Sequence, residues 1–560
     1  MRIDRRFISA GIFLGAILVL IFYLLALRYQ VAFPTQLFFI SLALIVGSLL
    51  YQIFAVDLKG GFSGVVIFEI TLAALAFHFI YQIPTYGLYG SDAYYDTASM
   101  KAILESGHVA GVREYVQITS FFPMMHIAGA EMSLITGIDY FNTAKWLPAV
   151  IGGITIPMIY LFVRHVFEQE RAALLAALLY ATLQHYVMFG SLFVRETIAI
   201  VMAISCVYFY RTAGSSQHTL VYRGLSLLFL AGTILAHHLT SVMLLLLLLF
   251  YWGFTSFARP PARSEIRTDE TERGVLSLSF LLIGVVGTLA YWLTTVVEPV
   301  QIGMFFVNNV FSPDVWGLRT ILDQPTLDLP NLRYYFFIYG SYLSYIIFGV
   351  ILLYKSFSRQ PSRFIETPVF TTYLLLCGVI GFMSMYLLPA TVGGDRFLAF
   401  GWLFGFGPLA LAIIEFENRL VKGFSVLVVA AFIFINLFTI HPTIWNPEAE
   451  GVGGAATKQD FALARTVDFS LGDVIGYQND IMTVYEVQTI EGTDAYFLLD
   501  PVELDNYDWI IINRAGLEEE GLYSEYTRET IDRMASLESG DSPEYNLIYE
   551  SNNVIVLEQR

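Results

Sequence analysis

The segment that decides the fold of this chain reads Gly87-Leu-Tyr-Gly-Ser-Asp-Ala-Tyr-Tyr-Asp96 and leads on to Phe122-Pro-Met-Met-His-Ile-Ala-Gly129. It is the first polar interruption of any length, because three apolar runs precede it. Asp92 and Asp96 are four residues apart, so a helix would place both carboxylates on one face. A pair of acids at the edge of a bilayer costs solvation free energy, and we therefore expect this segment to have a function.

The composition predicts an α-helical polytopic membrane protein. The 560 residues are 56% hydrophobic. Many apolar runs have the length that crosses a hydrocarbon core of about 30 Å. We predict about thirteen transmembrane helices, at residues 7–27, 33–54, 62–82, 143–164, 172–189, 197–211, 220–236, 240–257, 275–297, 333–354, 367–388, 397–414 and 424–440.

One further apolar segment, residues 119–137, contains a proline, a histidine and a glutamate, and the charge distribution decides how it lies. If it is an in-plane helix at the membrane surface, 17 of the 25 basic residues in the range 1–440 fall on the cytoplasmic side. If it spans the membrane, only 9 do. The positive-inside rule therefore favours the in-plane helix, with a cytoplasmic N-terminus and an extracytoplasmic C-terminus. The large loops 83–142 and 298–332 then both lie on the outer face of the cell membrane.

A second domain is predicted at residues 441–560, after the membrane domain 1–440. It holds 24 of the 48 acidic residues but only 6 of the 31 basic ones, so it accounts for the net charge of −17. This acidic surface argues against nucleic-acid binding. The pattern predicts a small extracytoplasmic α/β domain. Its predicted strands lie at Gly472–Gly476, Asp508–Asn513 and Asn553–Leu557, and its predicted helices at 458–468 and 524–537.

Four groups of polar side chains fall on the outer face in this topology. One combines the two carboxylates of the first loop with two tyrosines, and the other three lie at the ends of predicted spans. The groups are Asp92, Tyr94, Tyr95 and Asp96; Arg195 and Glu196; His237 and His238; and Asp395 and Arg396. Each group has a structural alternative. Asp92 is also typical of a helix cap, and Arg195 with Glu196 is typical of an ion pair at the headgroups.

These residue types suit transfer chemistry on a phosphate-bearing substrate. A carboxylate in a partly dry pocket accepts a proton from a hydroxyl, and a guanidinium binds phosphate in a bidentate manner. There is no Gly-x-x-x-x-Gly-Lys-Ser/Thr motif and no basic soluble domain to hold a nucleotide sugar, so the sequence favours a lipid-linked phosphate sugar as donor. We assign lipid-phosphate binding to Arg195, His237, His238 and Arg396, and sugar or acceptor binding to Tyr94, Tyr95, His126 and Asp395.

The chain resembles the GT-C membrane glycosyltransferases in the order and placement of four motifs over residues 62–212. They are Tyr89-Gly-Ser-Asp-Ala-Tyr-Tyr-Asp96, the in-plane Phe121-Phe-Pro-Met-Met-His126 helix, the Ile151-Gly-Gly-Ile-Thr-Ile-Pro157 span and the Phe193-Val-Arg-Glu196 turn. That class uses polyprenyl-phosphate or polyprenyl-diphosphate sugars and includes protein mannosyltransferases, aminoarabinose transferases and single-subunit oligosaccharyltransferases. The tail has no Trp-Trp-Asp motif, which counts against an oligosaccharyltransferase. The overall pattern is most similar to prokaryotic or archaeal members that add one sugar from a polyprenyl-phosphate carrier such as dolichol phosphate.

The resemblance implies an inverting transfer of a sugar from a polyprenyl-phosphate donor to a hydroxyl of a glycan, lipid or protein, within a shell of membrane lipids. It implies Asp92 as the general base, Asp96 and Glu196 as further catalytic residues, and the 298–332 loop as a lid. A divalent metal (Mg²⁺ or Mn²⁺) on Asp92, Asp96 and Glu196 and a metal-independent reaction are equally open. Two other functions also stay open: a transporter or flippase for lipid-linked glycans, and a catalytically silent glycan-lipid-binding protein. Charges at span ends and the lack of an evident internal repeat favour the enzyme over the transporter.

Overall fold

The computed structural model describes most of the membrane domain and five short stretches of the tail. The described ranges are 4–29, 31, 33–84, 88, 91–109, 121–257, 277–295, 346–352, 366–387, 394–438, 474–476, 495–497, 509–513, 545–550 and 554–559. Among these residues, the regular structure of the membrane domain is helical and that of the tail is β-strand.

The membrane domain is a succession of helices joined mostly by short connections. They are α1 (Arg5–Arg28), α2 (Thr35–Ala55), α3 (Phe62–Gln82), α4 (Ser91–Ser106), α5 (Met124–Thr136), α6 (Tyr140–Phe167), α7 (Glu170–Ala181), α8 (Gln184–Ser191), α9 (Arg195–Ser215), α10 (Thr219–Ala236), α11 (His238–Phe257), α12 (Leu278–Thr295), α13 (Glu366–Leu387), α14 (Gly394–Glu415) and α15 (Arg419–Phe438). Residues 346–352 are also helical. Within the described ranges, nine helices are long and apolar enough to cross a membrane, and α7 with α8 makes a tenth if the pair is one bent span. The chain is therefore an integral membrane protein.

The helices correspond to the predicted spans, which confirms the helical membrane class. In residues 121–137, the described part of the uncertain segment, α5 has 13 residues, extends over about 20 Å and is too short to cross the hydrocarbon. The span predicted at 172–189 consists instead of α7 and α8, whose axes meet at 63°. The total of thirteen stays a prediction, because much of the segment predicted at 333–354 lies outside the described residues.

Two buried helices, α7 and α14, form the centre of the bundle. All residues from Ala172 to Ala181 are buried, and so is almost all of α14. Glycines allow neighbouring helices to approach α14 closely: a Cβ on Gly407 would lie 2.7 Å from a ring carbon of Phe167. In lipid, where the hydrophobic effect does not drive helices together, such close packing supplies the attraction. This packing holds α14, whose first turn contains Arg396, at the centre of the bundle.

Polar side chains collect at the two ends of the bundle. Because successive helices run in opposite directions, the starts of α9 and α14 and the end of α10 lie at the same end. That end also carries α4 and α5, which pack on α6 and α9, and we call it the α4 end. At the opposite end, Arg171 donates a hydrogen bond to the carbonyl of Val56 at 2.8 Å, and Arg211 pairs with Glu366 at 2.6 Å.

The described part of the tail is a five-stranded mixed sheet with the strand order β2-β1-β3-β5-β4. Its strands are β1 (Val474–Gly476), β2 (Ala495–Phe497), β3 (Trp509–Asn513), β4 (Tyr545–Glu550) and β5 (Val554–Gln559). β1 is parallel to β2 and β3, whereas β5 is antiparallel to β3 and β4. The three predicted strands correspond to β1, β3 and β5, and the sequence did not predict β2 or β4. The helices predicted at 458–468 and 524–537 lie outside the described residues, so the α/β class of the tail stays a prediction.

Candidate active site

Asp96 is the centre of a polar cluster at the α4 end. It lies in the second turn of α4 and is fully buried. Its Oδ1 accepts a hydrogen bond from Nε2 of His126 on α5 at 2.8 Å and lies 3.2 Å from Nε of Arg195 at the start of α9. A buried carboxylate needs such partners because its charge has left water. Asp96 therefore connects three helices.

Asp96 also determines how α9 begins. Val194, at the N-cap of α9, makes no side-chain hydrogen bond there. Instead, the backbone N–H of Arg195 donates to Oδ2 of Asp96 at 3.3 Å. The first N–H groups of a helix have no partner within the helix, and the helix dipole stabilises an anion at this position. Asp96 thus caps α9 from a different helix.

The surroundings of Asp96 keep its carboxyl group ionised. Burial alone would raise its pKa, but the charge of Arg195 and the hydrogen bond from His126 outweigh burial and lower the pKa below the ordinary value of 3.8. A carboxylate with a low pKa and both oxygens bonded is a poor proton acceptor. The direct catalytic role predicted for Asp96 does not fit this geometry, in which it orients Arg195.

Glu196 and Arg396 bring α9 and α14 together beside this centre. The Glu196 side chain is 3% exposed, and its Oε2 lies 3.9 Å from Nε of Arg396. Arg396 is 29% exposed, compared with 16% for Arg195, and its guanidinium carbon lies 5.0 Å from the ring centroid of Phe189 on α8. A cation–π contact of this kind holds a guanidinium in place, and its N–H groups suit an oxyanion. Arg396 is therefore well placed to bind phosphate.

His237 and His238 form the junction between α10 and α11, and their ring centroids are 4.7 Å apart. Nδ1 of His237 lies 2.9 Å from the hydroxyl of Thr240. Burial lowers the pKa of His237 well below the ordinary 6.5, and His238, Arg195 and Arg396 lower it further. His237 is therefore neutral at pH 7 and suits a hydrogen bond to a phosphate or a hydroxyl rather than a full ion pair.

The structure brings together seven of the residues that the sequence singles out: Asp96, His126, Arg195, Glu196, His237, His238 and Arg396. Tyr94 is different, because it is fully buried and its hydroxyl accepts a hydrogen bond from the N–H of Leu88 at 3.0 Å. It packs the first loop and presents no face to a sugar, and His126 is likewise buried against Asp96. The side chains of Asp92, Tyr95 and Asp395 lie outside the described part of the chain, as does the whole 298–332 loop.

A divalent cation does not fit at Asp96. Both of its oxygens accept hydrogen bonds from N–H groups, and Glu196 faces the Arg396 guanidinium. A metal ion here would stand beside two guanidinium groups, which repel it. Among the described residues, no group of three or more His, Cys, Asp or Glu side chains is arranged to hold a metal ion. The positive charges that this geometry offers to a substrate are therefore those of arginines.

The structure adds one residue that the sequence does not single out, Phe189. Its ring lies under Arg396 and is 4.4 Å from the ring of His185, with 30° between the two planes. Its carbonyl accepts a hydrogen bond from the Thr197 hydroxyl at 3.0 Å, which ties α8 to the first turn of α9. Phe189 is one of 46 phenylalanines, and no local pattern distinguishes it. Its role depends on the bend between α7 and α8, which the sequence does not predict.

Comparison with known proteins adds the fold. No protein-family model and no curated protein sequence matches the chain. The structure of the archaeal oligosaccharyltransferase AglB from Archaeoglobus fulgidus, in complex with an inhibitory peptide and a dolichol-phosphate, matches with a TM-score of 0.54 and 12% identity, over 81% of this chain and 70% of that one. The structure of ArnT from Cupriavidus metallidurans bound to undecaprenyl phosphate matches with a TM-score of 0.55 and 12% identity, over 89% of this chain and 98% of that one.

At 12% identity these likenesses concern the fold and not the activity. They nevertheless extend over more than four fifths of the chain. The chain therefore has the membrane-protein fold that AglB and ArnT share.

Proposed function

We propose that this protein transfers a sugar from a polyprenyl-phosphate donor to an acceptor hydroxyl at the outer face of the membrane. The observation that carries the proposal is the meeting of Asp96, Arg195, Glu196, His237 and Arg396 at one end of this fold. Ionisable groups are costly at a membrane surface, and five of them from distant parts of the chain require a common reason. The solved structures with the same fold contain dolichol-phosphate or undecaprenyl phosphate, which supports a lipid-phosphate ligand.

In this proposal Arg396 binds the donor phosphate. It is the more exposed of the two arginines, and its cation–π contact with Phe189 helps to position the guanidinium before a ligand arrives. Neutral His237 adds a hydrogen bond. Arg195 contributes its positive charge from a position fixed by Asp96, so the site attracts an anion without needing to reorganise.

Asp92 is the general base of the proposed reaction. It lies one helical turn before Asp96 on α4, and Asp96 is already paired with Arg195. The acceptor hydroxyl gives its proton to Asp92 while its oxygen forms a bond to the anomeric carbon. The bond between that carbon and the phosphate oxygen breaks, and polyprenyl phosphate leaves with one more negative charge. Arg396 stabilises this charge. Attack from the face opposite the phosphate inverts the configuration of the sugar.

The proposed topology places the α4 end outside the cytoplasm, with about thirteen spans, a cytoplasmic N-terminus and an extracytoplasmic α/β tail. The excess of basic residues in the loops of the opposite end supports this orientation. Nucleotide sugars are cytoplasmic substrates, so a lipid-linked donor is the one that fits a site on the outer face. The acceptor is a glycan, a lipid or a protein.

The experiment that tests the proposal compares wild type with Asp92→Asn in membranes supplied with radiolabelled polyprenyl-phosphate sugars. We expect product from the wild type and at least a hundredfold slower transfer from the variant, because general-base catalysis contributes about 10²–10⁴-fold. Glu105→Gln is the matched control. Glu105 lies on the same helix, 63% exposed, and its loss should leave the rate unchanged.

Three outcomes would contradict the proposal. An unchanged rate in Asp92→Asn would remove the general base. No labelled product from wild type with any polyprenyl-phosphate sugar, together with movement of the intact labelled lipid between leaflets, would favour a flippase. Binding of the labelled lipid with neither transfer nor movement would favour a silent binding protein.

A further inference from the structure

Asn436 lies on the last membrane helix, α15, and contacts the bend between α7 and α8. Its Oδ1 accepts a hydrogen bond from the backbone N–H of Gln184 at 3.0 Å, and its Nδ2 donates to the carbonyl of Phe432 at 2.9 Å. The residue is 2% exposed. A buried amide inside an apolar span costs free energy unless its polar atoms are bonded, so its presence at this point needs a reason.

The bend explains why a polar group is needed here. The axes of α7 and α8 differ by 63°, and the first N–H groups of α8 have no partner within the helix. Leu183, which precedes α8, provides no side-chain cap. In a membrane such groups must find partners inside the protein, because lipid offers none. Asn436 provides that partner for Gln184, while the Thr182 hydroxyl bonds to the carbonyl of Leu178 at 2.9 Å.

The direction of α8 matters because α8 carries one wall of the candidate active site. Phe189 lies under the Arg396 guanidinium, and its carbonyl is bonded to Thr197, next to Glu196. At the end of α8, the Ser191 hydroxyl donates to the carbonyl of His78 at 2.9 Å. A change in the angle of α8 would therefore move the ring on which Arg396 lies.

We infer that Asn436 is a positioning residue for donor binding. By holding the N–H of Gln184 it sets the direction of α8, and α8 in turn keeps Phe189 beneath Arg396. Asn436 itself does not touch the substrate. The inference rests on the proposed function, because its effect is read through the binding of the donor phosphate at Arg396.

The first test replaces Asn436 by leucine, which removes the acceptor but keeps a similar volume. In this variant the buried N–H of Gln184 has lost its acceptor, which disfavours the observed direction of α8. We therefore expect the KM for the polyprenyl-phosphate sugar to rise about fivefold to thirtyfold while kcat changes little. Asn436→Asp keeps an oxygen acceptor and should restore a KM between those of wild type and Asn436→Leu. Ser425→Ala removes another buried polar group of α15 and should leave the KM unchanged.

The second test uses Gln184→Pro, which removes the backbone N–H that Asn436 binds. Gln184 is the first residue of α8, a position where proline is well tolerated, and the extended backbone of Leu183 (φ −70°, ψ 116°) is compatible with a following proline. Gln184→Pro has no N–H to satisfy. In this background we expect Asn436→Leu to change the KM by less than about twofold, because the lost acceptor no longer leaves an unmet donor.

The outcomes distinguish a failure of the role inferred for Asn436 from a failure of the proposed sugar transfer. An equal rise in KM in both backgrounds, or no rise in either, would overturn the role of Asn436 while leaving the transferase intact. If Asn436→Leu fails to accumulate, the double variant with Gln184→Pro should accumulate and be active; its failure would also overturn the inference. If wild type transfers no sugar, the proposed function fails, and the same cycle read as melting temperature still tests the contact with Gln184.

Discussion

Nε of Arg195 lies 3.2 Å from Oδ1 of Asp96, and the backbone N–H of Arg195 donates to Oδ2 of the same carboxylate at 3.3 Å. One buried carboxylate thus holds one arginine through both its side chain and its main chain. The first-loop helix α4 is fastened in this way to the start of α9, where Oε2 of Glu196 lies 3.9 Å from Nε of Arg396. Preorganised charge of this kind is what a transfer reaction with an anionic leaving group requires.

Replacing Asp96 by asparagine should destabilise the protein. The amide keeps the shape of the side chain but leaves the Arg195 guanidinium beside a neutral group. Removing one partner of a buried ion pair costs about 3–5 kcal/mol. We expect a clearly lower melting temperature in detergent for Asp96→Asn.

A double-mutant cycle with Arg195→Met tests whether this loss arises from the pair. If the two residues are coupled, the double variant should lose less stability than the two single variants added together. Additive losses would contradict the coupling and leave Asp96 with a separate role.

Replacing Arg396 should weaken donor binding more than it slows the chemical step. Arg396→Gln removes the charge, and we expect the KM for the donor to rise at least about tenfold, since charge-assisted hydrogen bonds contribute about 1.5–3 kcal/mol each. Arg396→Lys should recover only part of the loss, because an ammonium lacks the planar fork that binds an oxyanion in a bidentate manner.

The matched control for Arg396 is Arg164→Gln at the opposite end of the bundle. Arg164 pairs with Glu170 at 3.1 Å and is 54% exposed, so its loss should not change the KM for the donor. Kinetics over a range of donor concentrations decide the question. Equal KM values for the Arg396 and Arg164 variants would show that Arg396 does not bind the donor.

His237 should make the folded protein less stable in mild acid. Its pKa is lowered in the folded state, mainly by burial, while the unfolded chain keeps the ordinary value of 6.5. Below pH 6.5 the unfolded state therefore binds a proton that the folded state does not, and stability falls as the pH decreases. We expect the melting temperature to drop between pH 7.5 and pH 5, and to drop less in His237→Asn. Parallel curves for the two proteins would contradict a lowered pKa.

The sequence predicts the helices and the meeting of polar residues well, because both depend on simple periodicities. An apolar run of membrane length becomes a span, and alternating spans bring Arg195, His237 and Arg396 to one end. The sequence does not predict the bend before Gln184. No proline or glycine marks that break, and the group that stabilises it, Asn436, lies 252 residues further along the chain.

The sequence also does not predict which polar side chains pair with each other. The spacing of Asp92 and Asp96 does not show which of the two carboxylates pairs with an arginine. The packing of α4 on α9 shows that Asp96 pairs with Arg195. Tyr94 illustrates the same limit. A tyrosine at a membrane interface can bind a sugar or pack against the protein. The hydrogen bond from the Leu88 N–H to the Tyr94 hydroxyl indicates the packing role.

The last prediction concerns Glu366, which lies at the end of the bundle opposite the candidate active site. Its Oε1 is 2.6 Å from a guanidinium nitrogen of Arg211 and accepts a hydrogen bond from the Tyr251 hydroxyl at 3.0 Å. Arg211 and Arg195 are both on α9, separated by 16 residues and hence by about 24 Å. Glu366→Gln should therefore lower the melting temperature, because it leaves a largely buried guanidinium without its counter-charge, yet leave the KM for the donor unchanged. A changed KM without a loss of stability would contradict this prediction. It would mean that Glu366 affects donor binding although it lies at the opposite end of the bundle from the candidate active site.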